Sequence, residues 1–548
     1  MGKNSLALIG LSLFSFICAV LILTHPPKIG GDIVEYLGIT QTLSSHATLD
    51  LKESDKAVIK KIIGPIYQEN GEYYLEGRNN LRYPTHFPLY SILAMPIRTA
   101  LHIFHLNELL SFSLLNLLIL FLTGLFCLKN GFKQESEKIP FLLLLLVSPV
   151  FFYITWPGPE LLIICLLLAG IFLLKNGRST LGILFMIIAS WQSQPLLLIP
   201  LAVLLNQTVT GYKKHGLQKK NLALALFLAV PNIYYFFLFN SPTAFAKLAG
   251  FGLSNFTMQK PLELFFDPNF GLFFYAPLLF IFGIVGIIHY KKKGLLPFLL
   301  ICACTSVLYT TITNWNHGAP GYGPNRYSLF LIPFLLFLGT SFVAKSRWKD
   351  QLLVLLLVIQ IPILIFNGLL FPNYNDSFGH SPYAKAMLTV APGLYNPTPE
   401  IFIERTLGVE NGGSLETAVY FSQNRCKKAY VFKIDVQKVK DACGYIPQED
   451  IDLLTNEYLK PSTSTRIFTA KAATIYPEGI DCNKDKELCL NTVREVMAKT
   501  GLTDGKRITE STVVKGAWVI AWGTPMDIIL PPHYIAQFAE LRGRYINY

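Results

Sequence analysis

Apolar residues fill long blocks of this chain, and short polar connectors separate them. The blocks near 5–24, 109–128, 139–155, 160–174, 180–191, 195–206, 222–239, 272–290, 295–313, 326–344 and 352–371 predict eleven membrane-spanning helices. About 20 apolar residues carry a helix across a bilayer. Several blocks meet a proline at an end or break, as at Pro140, Pro195 and Pro231, where a missing N–H costs a helix least. The first block follows only Lys3 and ends at His25-Pro26-Pro27 without a small-residue cleavage site, so it reads as a retained span.

Two regions break the pattern. Residues 25–108 form a long first outer loop opening with Gly30-Gly31-Asp32-Ile33-Val34-Glu35-Tyr36. Leu37 to Leu43 is an amphipathic stretch suited to a helix lying at the interface. Tyr83-Pro84-Thr85-His86-Phe87-Pro88-Leu89-Tyr90 then leads into an apolar run to Phe104, interrupted by Pro96, Arg98 and His102. Counting that run as a span inverts every later connector against the positive-inside rule, so it reads as a helix resting in the outer leaflet. Beyond Pro372 the hydropathy falls; Tyr430 to Ile434 alternates like a strand, and Leu490 to Lys499 suits a helix. The expected fold is an α-helical polytopic membrane protein with a transmembrane module at 1–371 and a soluble, extracytoplasmic α/β domain at 372–548.

Composition supports this reading: 52% of residues are hydrophobic and 15% charged, against roughly 25% charged in soluble domains. The net charge of +12 does not imply nucleic acid. Lys3, Lys129/Lys133/Lys138, Lys175/Arg178, Lys213/Lys214/Lys219/Lys220, Lys291/Lys292/Lys293 and Lys345/Arg347/Lys349 fall in alternate connectors, whereas the intervening short ones hold Lys247, Lys260 and Arg326. That asymmetry predicts a cytoplasmic N-terminus and an exterior C-terminal domain in a plasma or inner membrane. Five of the nine cysteines lie in apolar blocks, where a thiol is a small hydrophobe. Cys426, Cys443, Cys482 and Cys489 fall in the polar C-terminal region, where an even count suggests two disulfides. Among three connectivities the local pairs Cys426–Cys443 and Cys482–Cys489 are expected. No CxxC spacing points to zinc.

Candidate chemistry gathers at the outer ends of the spans, where a carboxylate costs energy unless it is solvated, paired or used. Asp32, Glu35 and Tyr36 follow the first block, and Glu160 opens another in Trp156-Pro157-Gly158-Pro159-Glu160. Two further clusters share that side: Phe266-Asp267-Pro268-Asn269, and Asn314-Trp315-Asn316-His317-Gly318 continuing through Tyr322-Gly323-Pro324-Asn325-Arg326-Tyr327. Each residue also has a plainer role open to it. Asp32 can be a solvated acid, Glu160 can favour its helix N-terminus, and Arg326 can snorkel to headgroups. His86 and His317 can simply pack. Trp315 and the tyrosines suit an interfacial aromatic belt, and Asp267-Pro268 suits a turn.

The order and context of these motifs resemble the GT-C superfamily of membrane glycosyltransferases. The resemblance is to the branch with the dolichyl-phosphate-mannose protein mannosyltransferases and the bacterial aminoarabinose transferase of lipid A. It covers roughly residues 1–371 and rests on five motifs in order. These are Asp32-x-x-x-Tyr36, His86-Phe87-Pro88-Leu89-Tyr90, Glu160 at the head of its span, Phe265 to Pro277, and Gly321 to Tyr327. The chain departs from the family at three points: Ile33 where relatives carry a second acid, Gln194 where they carry a base before proline, and Phe270 where bacterial relatives often carry arginine. Donor binding is therefore expected to rest more on Arg326 and His86.

The resemblance implies an inverting transfer of sugar from a polyprenyl-phosphate donor to an acceptor hydroxyl on cell-envelope glycan, lipid A or O-antigen, or protein, in contact with membrane lipids. Asp32 would be the general base and Arg326 the fork that meets the phosphate. Glu35, Tyr36, His86, Glu160, Asp267, His317, Tyr322 and Tyr327 would bind substrate, with Trp315, Tyr322 and Tyr327 offering stacking faces. No cofactor is certain; a divalent metal stays open, with Asp32 and Glu160 as its candidate ligands. A lipid-linked glycan polymerase or ligase is the nearest alternative. A lipid or solute transporter is further away, since transporters bind near the midplane, often on broken helices.

Overall fold

The computed structural model describes residues 3–432 apart from 28, 65–73, 133, 216–218, 245–255, 290–294, 313–314, 317, 410–417 and 423–424, and beyond these the strands at 472–475, 512–514 and 517–522. The chain divides into two compact units. The first comprises Met1–Asn255, Leu264–Phe266 and Phe270–Tyr374, and the second Phe256–Glu263, Asp267–Asn269 and Asn375–Tyr548.

The first unit is helical. It opens with α1 (Lys3–Thr24), α2 (Ile33–His46), α3 (Glu53–Ile63), α4 (Leu89–Ile103), α5 (Leu110–Phe126), α6 (Lys138–Leu146), α7 (Glu160–Lys175) and α8 (Ser179–Gln192). Among the described residues five helices are long and apolar enough to cross a membrane: Ser5–Thr24, Leu110–Gly131, Lys219–Phe239, Ser328–Lys345 and Lys349–Phe366. Each overlaps a predicted span. Leu6, Leu13 and Phe16 on α1, and Val354, Val358 and Ile365 on the last helix, are exposed. An apolar face of that extent suits lipid better than water.

The predicted spans at 139–155 and 272–290 are interrupted. The 139–155 block forms only the nine residues of α6, then a 3₁₀ turn at Pro149–Tyr153. Ser148 donates to the Leu145 carbonyl at 2.8 Å, and Pro149 brings no N–H to continue the ladder. The 272–290 block divides into Leu272–Tyr275 and Pro277–His289, with Ala276 between them at φ −148°. A residue before proline is pushed out of the helical region.

The first loop is built inward. A two-stranded hairpin pairs β1 (Tyr74–Glu76) with β2 (Arg82–Pro84) and delivers Thr85-His86 to the start of α4. The expected surface helix at Leu37–Leu43 is instead part of a buried one, since Ile33, Glu35 through Thr40, and Thr42 are all buried. Ile33, Tyr36, Leu37 and Ile39 pack with Ile59 and Ile63 of α3, Tyr90 and Ala94 of α4, Phe112 and Leu115 of α5, and Leu162 of α7. The walls that the hairpin, α3 and α4 put around α2 remove the half-wet position an interfacial helix needs.

The second unit carries an antiparallel sheet of β3 (Ala418–Ser422), β4 (Arg425–Phe432), β5 (Ala472–Ile475), β6 (Thr512–Val514) and β7 (Ala517–Trp522), in the order β3-β4-β5-β7-β6. Helices Pro382–Val390 and Pro399–Leu407 contribute Ala384, Leu388, Phe402 and Ile403 to a core with Ala418. The predicted strand at 430–434 lies in β4 as far as Phe432. The side chain of Cys426, all of Cys443, Cys482 and Cys489, and the predicted helix at 490–499 lie outside the described residues.

Candidate functional site

Local geometry brings five charged side chains of the first unit into one row. Gly31, at φ +54°, makes the left-handed turn that ends the connector from α1, and a Cβ there would meet the Trp156 ring at 3.0 Å. Asp32 follows at the N-cap of α2, yet its side chain makes no cap hydrogen bond. It turns outward instead, and Arg326 Nη1 donates to its Oδ2 at 3.2 Å. His86 Nε2 stands 3.7 Å from the same oxygen. On the far side of Arg326, Nη1 lies 3.8 Å from Glu160 Oε1.

His86 is held from behind by Glu35. Its backbone N–H donates to Glu35 Oε1 at 2.8 Å, its Nδ1–H donates to Oε2 at 2.7 Å, and the Thr85 hydroxyl donates to both oxygens at 3.0 Å. A ring nitrogen committed to a carboxylate fixes which way an imidazole faces. The His86 side chain is 23% exposed, and that of Glu35 is 0% exposed. The Glu35 carboxylate, expected to bind substrate, is closed off from solvent here and taken up by the Thr85-His86 segment.

Arg326 is positioned by a knot in its own loop. The Asn325 N–H donates to the Phe270 carbonyl at 2.9 Å, and its Nδ2 donates to the Trp315 carbonyl at 2.8 Å. The Tyr327 N–H donates back to Asn325 Oδ1 at 2.9 Å. Tyr153 reaches across from the turn after α6 and donates to the Pro324 carbonyl at 2.7 Å. Gly318 sits at φ +90°, and a Cβ there would come within 2.5 Å of Arg326 Nε. Among the described residues Arg326 Nε and Glu160 Oε2 are buried and have no hydrogen-bond partner. A satisfied core seldom leaves such atoms so.

The two first-loop groups titrate in opposite senses. Burial is the largest influence on Asp32 and raises its pKa, but the His86 and Arg326 charges together outweigh it and hold the carboxyl below its ordinary range. Burial lowers His86, yet the Glu35 charge and hydrogen bond, with Asp32 behind them, push it up to about 9. At neutral pH the centre of the row is the Asp32 carboxylate between the His86 imidazolium and the Arg326 guanidinium. Tyr36 is held protonated, first by burial and then by the carboxylates of Asp32, Glu160 and Glu35. Its ring packs at 5.2 Å from His86 and 5.3 Å from Tyr90.

The other expected site residues are placed differently. Trp315 is 0% exposed and meets Phe270 edge-on at 5.6 Å. It offers no stacking face, which corrects the sequence expectation. Tyr327 is buried with its ring stacked on Tyr309 at 4.2 Å and Arg326 over it at 5.1 Å, so its face is already taken. Tyr322 is half-buried in the turn before Arg326, and His317 lies outside the described residues. Asp267 belongs to the second unit. There its Oδ1 accepts from the Asn269 N–H at 2.7 Å and its Oδ2 from the Tyr395 hydroxyl at 2.8 Å, so both oxygens are occupied by structural partners.

The row does not fit a resident divalent metal on Asp32 and Glu160, because the Arg326 guanidinium bonds to one and faces the other. Sequence reasoning missed Thr85 and Gly318: neither residue type announces a role, and only the fold shows what each touches. No family model, curated protein or solved structure matches the chain.

Proposed function

We propose that the protein is a membrane-embedded glycosyltransferase of the GT-C kind, which moves a sugar from a polyprenyl-phosphate donor to an acceptor hydroxyl at the outer rim of its helices. The observation that carries this reading is Asp32, a carboxylate unused for capping and flanked by two cations, Arg326 at 3.2 Å and His86 at 3.7 Å. It lies in a chain whose exposed helix faces are apolar enough for lipid. Eleven spans, a cytoplasmic N-terminus and an exterior second unit complete the proposal.

In the reaction, an acceptor oxygen attacks the anomeric carbon from the face opposite the phosphate. The new C–O bond forms as the bond to the phosphate oxygen breaks, and the configuration inverts. Asp32 accepts the hydroxyl proton, and polyprenyl phosphate leaves with the electron pair. The developing charge on that phosphate is met by Arg326 and His86. As their N–H groups turn to the phosphate they release their hold on Asp32, and its basicity rises as the proton arrives. The order of events thus follows from sharing two cations between base and leaving group.

The test is transfer of a radiolabelled sugar from a polyprenyl-phosphate carrier by the purified, lipid-reconstituted chain. Labelled product that disappears in Asp32→Asn supports the proposal. Carrier movement between leaflets with no product eliminates it.

A further inference from the structure

Among the described residues the Glu35 carboxylate accepts four hydrogen bonds, and all four come from the Thr85-His86 segment, while the Tyr74 hydroxyl donates to its backbone carbonyl. Fifty-one residues separate it from His86, so this is a tertiary lock rather than a local turn. A carboxylate with 0% exposure is expensive unless it is paired, and among the described residues the cation that pairs with it is the His86 ring. The opposite ring nitrogen looks out at Asp32 on the side that retains exposure. We infer that Glu35 is a positioning residue, whose buried carboxylate keeps the His86 imidazole charged and turned with Nε2 toward Asp32, so that His86 acts with Arg326 as a second cation for a phosphate-bearing substrate.

This rests on the donor reading above, and it says how a chain with Gln194 and Phe270 in place of basic residues still presents two positive groups. The charged and titratable groups facing His86 are Asp32, Glu35 and Tyr36 from the first loop, Arg326 and Glu160 across the row, and Tyr234 and Tyr235 on the Glu35 side. Glu35 and Asp32 lie against the two ring nitrogens and favour the imidazolium, and Arg326 opposes them.

The lock is tested without relying on transfer. Diethyl pyrocarbonate acylates neutral imidazole only, so the pH midpoint of His86 modification, read by mass spectrometry on the full chain in detergent, reports its charge. His102, whose side chain is 74% exposed, serves as the reference. In the wild-type protein the His86 midpoint is expected near 9, and in Glu35→Gln it is expected to fall by at least about one unit toward the ordinary 6.5. A wild-type midpoint near 6.5, or slow modification at every pH with no shift of midpoint, overturns the inference; so does a folded Glu35→Gln with an unchanged midpoint. In the transfer assay, Glu35→Gln is expected to lower kcat/KM about tenfold at pH 8 and to recover at pH 6, as the share of charged imidazole falls and returns. A wild-type chain with no transfer sinks the glycosyltransferase reading and leaves the reagent midpoint to judge the lock.

Discussion

Arg326 donates to Asp32 at 3.2 Å across 294 residues of sequence, joining the loop after the first apolar helix to the loop before Ser328–Lys345. Neither partner is spent on its own element: Asp32 caps nothing, and the Arg326 Nε is left over. The pair is partly buried, and the guanidinium keeps a donor that neither carboxylate uses.

Replacement of Asp32 by Asn is expected to lower transfer by about 10²- to 10⁴-fold, the usual worth of a general base. The variant keeps an oxygen to accept from Arg326 but leaves His86 and Arg326 without the charge between them, so the chain should insert as wild type does and unfold at a somewhat lower temperature. Labelled-sugar transfer and unfolding on one preparation check both. Wild-type activity in Asp32→Asn removes the assigned base.

The raised pKa of His86 makes a prediction for stability. Its contribution is fully present below the unfolded value of 6.5 and is lost as pH rises through about 9. The sign follows because the folded state binds the proton more tightly there. The loss is at most about 3 kcal/mol, at roughly 1.4 kcal/mol per pH unit. Unfolding temperatures between pH 6 and 10 should fall more steeply for the wild type than for His86→Gln.

Gly318→Ala should perturb the site without touching a charged residue. Alanine at φ +90° is strained by about 1–2 kcal/mol, and its Cβ would press on Arg326 Nε at 2.5 Å. We expect a modest drop in unfolding temperature together with a larger drop in transfer. Equal activity in Gly318→Ala and wild type argues that the guanidinium position matters little.

In the second unit Glu263 and Asp267 are both buried. Burial, then the Asp267 charge, raises Glu263 to about 8, and burial raises Asp267 to about 6. Their contribution is fully present below ordinary carboxyl values and is lost as pH rises through 6 and then 8. Glu263→Gln retains an acceptor for the Thr398 N–H, which bonds Glu263 Oε1 at 2.5 Å, and carries no charge. It should therefore unfold at a higher temperature than wild type at pH 9 and near wild type at pH 5.

The sequence made the residue types of the site legible and left their pairing hidden. Asp32, His86, Glu160 and Arg326 stand out because charge is costly beside apolar helices, and the fold gathers all four. Glu35 was misplaced because three residues of helix put it beside Asp32, and nothing local says that α3, the hairpin and α4 close over it. Trp315 looked like a belt residue for the same reason: its burial depends on Phe270, which is distant in sequence. Hydropathy also ran through Ser148-Pro149 and Ala276-Pro277 without registering the breaks, because a window sums apolar character and ignores missing N–H groups.

Glu35, His86, Asp32, Arg326 and Glu160 alternate in sign along a single file. Neutralising any interior position sets two like charges side by side, so such a change should be tolerated best when a neighbour is neutralised with it. Coupling energies of about 0.5–3 kcal/mol are typical of such contacts. A double substitution of adjacent members is therefore expected to cost less than the sum of the two single ones.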